Sequence, residues 1–290
     1  MSTPPRTRAA QVRLTDLAAW KAEGRPIVMI TAYDHPSAEV VDGAGVDIVL
    51  VGDSAANVVL GYDSTVPVTT DELLVLVRAV RRGLQRPLLV ADLPFGSYEV
   101  SDEQAVATAV RFVKEGGASA VKLERGGTSA RRAAAIVAAG IPVMGHVGLT
   151  PQTATALGGY RAQGRQGAQA ADIVTQALDL QDAGCFAIVA EAVPAPVAAH
   201  MQELLDVPVI GIGAGADVAG QVLVLHDLAG MLGEKPPKFV QRYGHLRESL
   251  CRAVTAYADE VRTHRFPTEA HTYPISDEEL AAFRELVRSK

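Results

Sequence analysis

The chain has 290 residues, a formal net charge of −6 and 48% hydrophobic residues, enough to bury one large core, and it has no basic stripe of the kind that tracks a phosphate backbone. Nucleic acid is therefore not expected as a partner, and a small metabolite is. The isolated Cys185 and Cys251 exclude a disulfide framework or a thiolate metal site, and no apolar run reaches the roughly 18 residues of a membrane span, so a cytoplasmic location with no membrane contact is expected.

A helix is predicted over Thr15 to Ala22 with Thr15 as N-cap, leading through Gly24 and Pro26 to a first strand, IVMITA. His35 to Ala44 reads as helix closed by Gly43 or Gly45, and VDIVLVGDS as strand two. Ala55 to Val68 is a connection long enough to suggest a functional loop, ahead of the helix TTDELLVLVRAVRRG. PLLVAD is strand three, and the helix after it carries Ser101 as N-cap with acidic residues in its first turn. AVKLE is strand four, the next helix runs from about Thr128 to Ala139, and IPVMGH is strand five. GLTPQTATALGGYRAQGRQG, rich in Gly, Gln and Thr, suits a mobile lid. A helix from Ala168 to Ala183 precedes strand six, FAIVAE; VPVIGIG is strand seven, strand eight falls within GQVLVLHD, and two further helices follow.

Five of these apolar runs end on an ionisable side chain: Asp53, Asp92, Glu124, His146 and Glu191. A continuous Val/Ile/Leu run describes a strand buried on both faces in a parallel sheet, where an unpaired charge costs several kcal/mol. The intervals between the ends approach the roughly 30 residues of one strand plus one covering helix in a (β/α)₈ barrel, whose active site lies at the C-terminal strand ends. The expected architecture is one TIM-barrel domain with an N-terminal helix, a core over about 25–235 and a C-terminal helical extension over about 236–290.

Asp53 and Asp92, on neighbouring strands, can bracket one cation. Oxygen ligands in small number favour Mg²⁺, although each Asp could instead cap its following turn. Lys122 and Glu124 alternate with Val121 and Leu123 and so share a face. There Lys122 can hold a substrate carboxylate and Glu124 a metal-bound water, or Lys122 can simply form an ion pair with Glu124 or with an Asp. His146, with Gly145 before it and Gly148 close behind, suits hydrogen bonding to a substrate carboxylate first and acid/base work second. Glu191 follows the apolar FAIVA, where desolvation raises a carboxylate pKa towards that of a useful base, or it pairs with Lys122 or His146. GIGAG at 211–215 lacks the spacing of a dinucleotide fingerprint and reads as a tight turn; Tyr33, Asp34 and His35 read as the start of a helix.

ITAYDHPSA, VGDS, DSTVPVT, ADLPFGSY, VKLE, GHVGLTPQ, GGYRAQGR, EAVP and VIGIGAG occur in one order over about residues 10 to 265. In that order they resemble the ketopantoate hydroxymethyltransferase family. The resemblance implies a Mg²⁺-dependent (β/α)₈ enzyme that moves a one-carbon unit from 5,10-methylenetetrahydrofolate to 3-methyl-2-oxobutanoate, as a homo-oligomer, often a decamer. It implies Asp53 and Asp92 as metal ligands with Glu124 metal-associated, and Asp53, Ser54, Asp92 and Lys122 as keto-acid contacts with His146 nearby. It gives Glu191 as the proton acceptor. Arg125 stands where the family usually has glycine, and Tyr62 where histidine is common. Two competing readings are a carbon–carbon lyase or mutase of the phosphoenolpyruvate mutase and isocitrate lyase type, which would carry cysteine in a KxCGH loop, and a catalytically silent barrel.

Overall fold

The computed structural model describes residues 10–124, 128–233 and 236–289. Strands β1 (Ile27–Thr31), β2 (Ile48–Val51), β3 (Leu88–Asp92), β4 (Ala120–Glu124), β5 (Val143–Gly148), β6 (Ala187–Glu191), β7 (Val209–Ile212) and β8 (Gly220–Leu223) are all parallel. They pair in chain order and close into a barrel through β8 and β1. The register sets Asp92 opposite Lys122, Glu124 opposite His146 and Gly148 opposite Glu191, which aligns the ionisable strand ends at one mouth.

The two-residue period of each strand divides its side chains between two cores. Val49, Val51, Leu89, Ala91, Val121 and Leu123 face outward into a core shared with the helices, where Leu73, Val77 and Phe112 are fully buried. Ile48, Leu50, Leu88, Val90, Ala120 and Met144 face inward and fill the barrel. Each such Leu, Ile or Phe contributes about 1.5–3 kcal/mol through burial. The parity that points Val90, Ala120, Met144 and Val189 inward also points Asp92, Lys122, Glu124, His146 and Glu191 inward, nearer the mouth.

The covering helices are α1 (Leu14–Glu23), α2 (His35–Gly43), the short α3 (Ala55–Val58), α4 (Thr70–Gly83), α5 (Asp102–Lys114), α6 (Ser129–Ala138), α7 (Gly167–Asp182), α8 (Ala195–Leu204) and the short α9 (Leu225–Leu228). Three of them start at a side chain that accepts a first-turn N–H. Ser101 accepts the N–H of Gln104 as expected, and Thr69 likewise accepts that of Glu72. Asp34 accepts from Ser37 N–H at 2.7 Å, so AYDHP is indeed a helix start. The α1 boundary is corrected: the N-cap is Arg13 rather than Thr15, because the Asp16 carboxylate reaches back to the Arg13 N–H at 2.9 Å. Lys21 ties α1 to the barrel through the carbonyls of Gln202, Leu205 and Val207. Part of the supposed loop Ala55 to Val68 is helical, as α3.

One compact unit reaches Tyr243, and a second begins at Gly244. The second holds α10 (Leu246–Arg262) and α11 (Asp277–Arg288), the latter capped by Ser276. Tyr257 meets Phe266 edge-on at 5.6 Å. Leu246, Leu250, Val254, Tyr257 and Val261, three or four residues apart along α10, are exposed. Among the described residues no helix is long and apolar enough to cross a membrane.

Candidate active site

A cavity of about 180 Å³ opens at the C-terminal mouth of the barrel. Asp53, Ser54, Asp92, Lys122, Glu124, His146 and Glu191 all line it, so the fold brings together every sequence-predicted site residue. Asp92, Lys122, Glu124, His146 and Glu191 arrive on strands; Asp53 and Ser54 lie in the turn just past β2. Gly52 allows that turn, since a Cβ there would meet Ser54 Oγ at 2.8 Å. Gly148, at φ +93°, permits β5 to pass β6 so closely that a Cβ would fall 2.3 Å from the Glu191 carbonyl oxygen.

The charged side chains form a chain of contacts. Lys122 Nζ lies 2.8 Å from Asp92 Oδ1 and 3.4 Å from His146 Nδ1. His146 sits between two carboxylates, with Nδ1 3.3 Å from Glu124 Oε1 and Nε2 3.3 Å from Glu191 Oε2. The backbone N–H of Asp53 donates to Asp92 Oδ2 at 2.9 Å, and Ser54 Oγ shares a 2.8 Å hydrogen bond with the Tyr33 hydroxyl. The ion-pair alternatives for Lys122 and Glu191 are thus partly realised, as Lys122 with Asp92 and Glu191 with His146. Asp92 Oδ1, Glu124 Oε1 and His146 Nε2 nevertheless have no well-aligned hydrogen bond, although each has a charged neighbour within 3.3 Å. Buried polar atoms in that condition cost roughly 1–3 kcal/mol each, which a bound polar ligand would recover.

A residue outside the sequence-predicted set holds this layer in place. Gln152 is buried in a short 3₁₀ turn, Pro151–Thr153, at the start of the supposed lid. Its Nε2 donates to Asp53 Oδ2 and to the Leu93 carbonyl, both at 3.0 Å; its backbone N–H donates to Glu124 Oε2 at 3.0 Å; and its Oε1 accepts from the Tyr98 hydroxyl at 2.7 Å. The beginning of that segment is therefore a wall of the site, while Tyr160 further along is exposed. A scan for charged strand ends passes over Gln152 because it carries no charge. Its only signal is a side chain with paired donor and acceptor, four residues after the glycine that ends β5.

Burial dominates the electrostatics. Asp53 is held well above the ordinary carboxylate range by burial and then by the charges of Glu124 and Asp92. Burial also raises Asp92, with Lys122 opposing. For Lys122 burial favours the neutral amine, but Asp92, Glu124 and Asp53 outweigh it and the pKa rises. Burial and Lys122 likewise push His146 down, yet hydrogen bonding towards Glu124 and Glu191 lifts it to about 9, which makes it an imidazolium at neutral pH. Burial raises Glu124, and His146 and Lys122 more than reverse this, so it stays ionised. Glu191, with its side chain 16% exposed, is the most open of the site carboxylates.

Among the described residues no three His, Cys, Asp or Glu side chains form a group that would hold a metal ion unaided. The donor chemistry still suits a hard cation. Burial raises Asp53 and Asp92 together, neighbouring carboxylates add to it and Lys122 opposes it, and a divalent ion there would relieve both. Oxygen donors in small number, with room for waters and a chelating ligand, match Mg²⁺.

Outside this layer, GIGAG is a tight turn, with Gly213 at φ +62° and Gly215 at φ +85°. The Tyr62 hydroxyl donates to Glu72 Oε1 at 2.7 Å and so braces the cap of α4. Arg125 lies outside the described residues. Cys185 is buried in the helix–strand core, away from the residues that line the cavity, and Cys251 is on α10.

Ionisable groups concentrated at the wide end of a closed parallel barrel, within reach of its βα loops, place the chain among the (β/α)₈-barrel enzymes. Solved structures agree on the fold. Phosphonopyruvate hydrolase in complex with oxalate and Mg²⁺ superposes with a TM-score of 0.58 at 15% identity, over 96% of this chain and 98% of that one. A 2,3-dimethylmalate lyase of the PEP mutase/isocitrate lyase superfamily gives 0.56 at 16%, over 94% and 98%. The chain belongs to the ketopantoate hydroxymethyltransferase family, whose model matches residues 11–269. It is 54% identical over 266 residues to the 3-methyl-2-oxobutanoate hydroxymethyltransferase of Frankia alni, covering 92% of this chain and 88% of that protein. It is 51% identical to the mitochondrial 3-methyl-2-oxobutanoate hydroxymethyltransferase 1 of Arabidopsis thaliana, covering 96% and 82%. The chain is accordingly an enzyme, a transferase of that family.

Proposed function

We propose that this chain transfers a hydroxymethyl group from 5,10-methylenetetrahydrofolate to 3-methyl-2-oxobutanoate, giving 2-dehydropantoate for pantothenate and coenzyme A biosynthesis. The observation that carries the reading is the single small cavity in which Asp53, Asp92, Lys122, Glu124, His146 and Glu191 meet, in a chain half identical to enzymes of that name. About 180 Å³ suits a five-carbon 2-oxo acid.

In this reading Asp53 and Asp92 would hold Mg²⁺ with Glu124 beside it, and the ion would supply Lewis-acid polarisation of the keto acid's oxygens. Lys122 and the imidazolium of His146 face the substrate carboxylate, two positive groups for one negative. Ser54, oriented by Tyr33, adds a hydroxyl contact. Glu191, the carboxylate most open to the cavity, takes the C3 proton. The electrons of that C–H bond form the new carbon–carbon bond to the one-carbon unit as its bonds to the folate nitrogens break. One water supplies the hydroxyl group; its remaining proton and the C3 proton passed on from Glu191 go to the two folate nitrogens, and tetrahydrofolate leaves. Buried, hydrogen-bonded walls keep other water out of this layer.

The test is to incubate the protein with 3-methyl-2-oxobutanoate deuterated at C3 and Mg²⁺, with and without methylenetetrahydrofolate, and to follow deuterium loss and product by NMR. Mg²⁺-dependent 2-dehydropantoate is expected; its absence from folded, metal-loaded protein overturns the reading. We further propose a cytoplasmic homo-oligomer, supported by the exposed apolar stripe on α10, in which Leu250→Glu and Val254→Glu together lower the mass measured by light scattering.

A further inference from the structure

A second cavity, about 790 Å³, adjoins the first. Glu191, Pro237 and Phe239 line both, so the two are neighbours across the proposed base. The five-carbon acid needs only the smaller one, which leaves the larger without an occupant. Its volume lies within the range of small-molecule and cofactor sites.

Its chemistry is divided. Near Glu191 the walls are apolar, with Leu149, Val193 and Pro194, and the exposed rings of Phe239 and Tyr160 stand at its edges. The turn glycines shape this end: a Cβ on Gly213 would meet the Phe239 ring at 2.7 Å, and one on Gly215 would meet Ala195 Cβ at 2.4 Å. The remaining charged residues lining the cavity are Arg161, Arg165 and Lys238, all exposed and none with an ion-pair partner among the described residues. Ala192, directly after Glu191, sits at φ +48°, a conformation an alanine adopts only under constraint. Its N–H donates to the Ile212 carbonyl at 2.8 Å, and its own carbonyl accepts from Gln163 N–H at 2.9 Å, which pins the boundary between the cavities.

A flat apolar ring system at one end and a tail bearing carboxylates at the other would satisfy both halves. We propose that this cavity seats the reduced folate, with its ring end towards Glu191 and Phe239 and its glutamate tail on Arg161, Arg165 and Lys238, an inference that rests on the one-carbon donor proposed above. The ring end is then beside the group that generates the carbon nucleophile, and the tail points to solvent. Folates with longer glutamate tails bring more carboxylates to the same three cations and bind more tightly.

Equilibrium dialysis with 5-formyltetrahydrofolate, its triglutamate and the tailless 6-methyltetrahydropterin tests this on the full chain. The variant Arg161→Gln/Arg165→Gln/Lys238→Gln changes exposed side chains only and is expected to fold. It should weaken 5-formyltetrahydrofolate binding at least tenfold, abolish the advantage of the triglutamate and leave the tailless pterin unchanged; KM for the folate should rise while KM for the 2-oxo acid holds. Equal folate binding by variant and parent overturns the proposal, as does an equal loss of pterin binding or no folate binding by the parent. Deuterium loss from the C3-labelled keto acid without folate separates the two levels. If the parent shows neither exchange nor product, the function itself is wrong; if exchange is intact and folate binding is unaltered in the variant, only the seat is.

Discussion

Gln152→Leu isolates the uncharged part of the site. The leucine keeps the volume and the backbone N–H to Glu124, but loses the donor to Asp53 Oδ2, the donor to the Leu93 carbonyl and the acceptor for Tyr98. A bond to a charged acceptor contributes about 1.5–3 kcal/mol and a neutral one about 0.5–1.5 kcal/mol. The Tyr98 oxygen still accepts from the Glu124 N–H at 3.3 Å, but its O–H, Asp53 Oδ2 and the Leu93 carbonyl each lose the Gln152 side chain, and burial of the leucine offsets part of the loss. The net expectation is a stability loss of about 3 kcal/mol. Urea unfolding of the metal-free protein reads it as a lower midpoint at unchanged slope. Gln152→Glu is the contrasting variant, because it adds an acid beside Asp53, already raised by its carboxylate neighbours. A carboxyl whose folded pKa lies above its unfolded value holds its proton more tightly in the native state, so its contribution is present at low pH and is lost as pH rises through the folded pKa. Gln152→Glu should therefore approach the parent's stability near pH 4 and fall away above it. Gln152→Leu within 0.5 kcal/mol of the parent, with unchanged kcat/KM, would refute the bracing role.

Asp92→Ala is expected to abolish Mg²⁺-dependent turnover while circular dichroism shows an intact barrel; full activity would contradict the metal assignment. Glu191→Gln should lower kcat about 10²–10⁴-fold, the usual contribution of a general base, with 2-oxo acid affinity retained in calorimetry, and rapid residual C3 exchange would show that another group takes the proton. Burial pushes the Cys185 thiol up to about 12, so it is fully protonated at pH 8 and a poor nucleophile. In Cys251→Ser protein, native labelling with a disulfide reagent at pH 8 should be slow and become fast in denaturant; fast native labelling would contradict the burial.

The barrel was legible in the sequence because its strands are buried on both faces and therefore read as unbroken Val/Ile/Leu runs, most of them spaced widely enough for a covering helix between. Even β8, the short Gly220–Leu223, falls inside the predicted GQVLVLHD. The charged layer was legible for the same reason: an Asp or Glu that ends such a run has few neighbours that would tolerate it except others of its kind. Helix boundaries were legible where the cap is an Asp, Ser or Thr side chain, as at Asp34, Thr69 and Ser101. They failed at α1, where the bond is made by the Asp16 carboxylate reaching back to a backbone N–H, so the residue at the cap carries no signal itself.

Gln152 marks the limit of that reading. Local sequence around it, GLTPQT, looks like any Gly- and Thr-rich connection, and its function depends on groups distant in the chain: Asp53 after β2, Leu93 after β3 and Tyr98 beyond that. A charged residue at a strand end announces an energetic problem on its own, whereas an amide announces one only when the acceptors around it are known. The same asymmetry applies to the larger cavity. Arg161 and Arg165 are ordinary surface cations in sequence, and they acquire meaning only when the fold sets them, with Lys238, on the wall of a cavity that shares Glu191 with the charged layer. Residues that carry the chemistry are thus conspicuous one at a time, and those that orient it are recognisable only together.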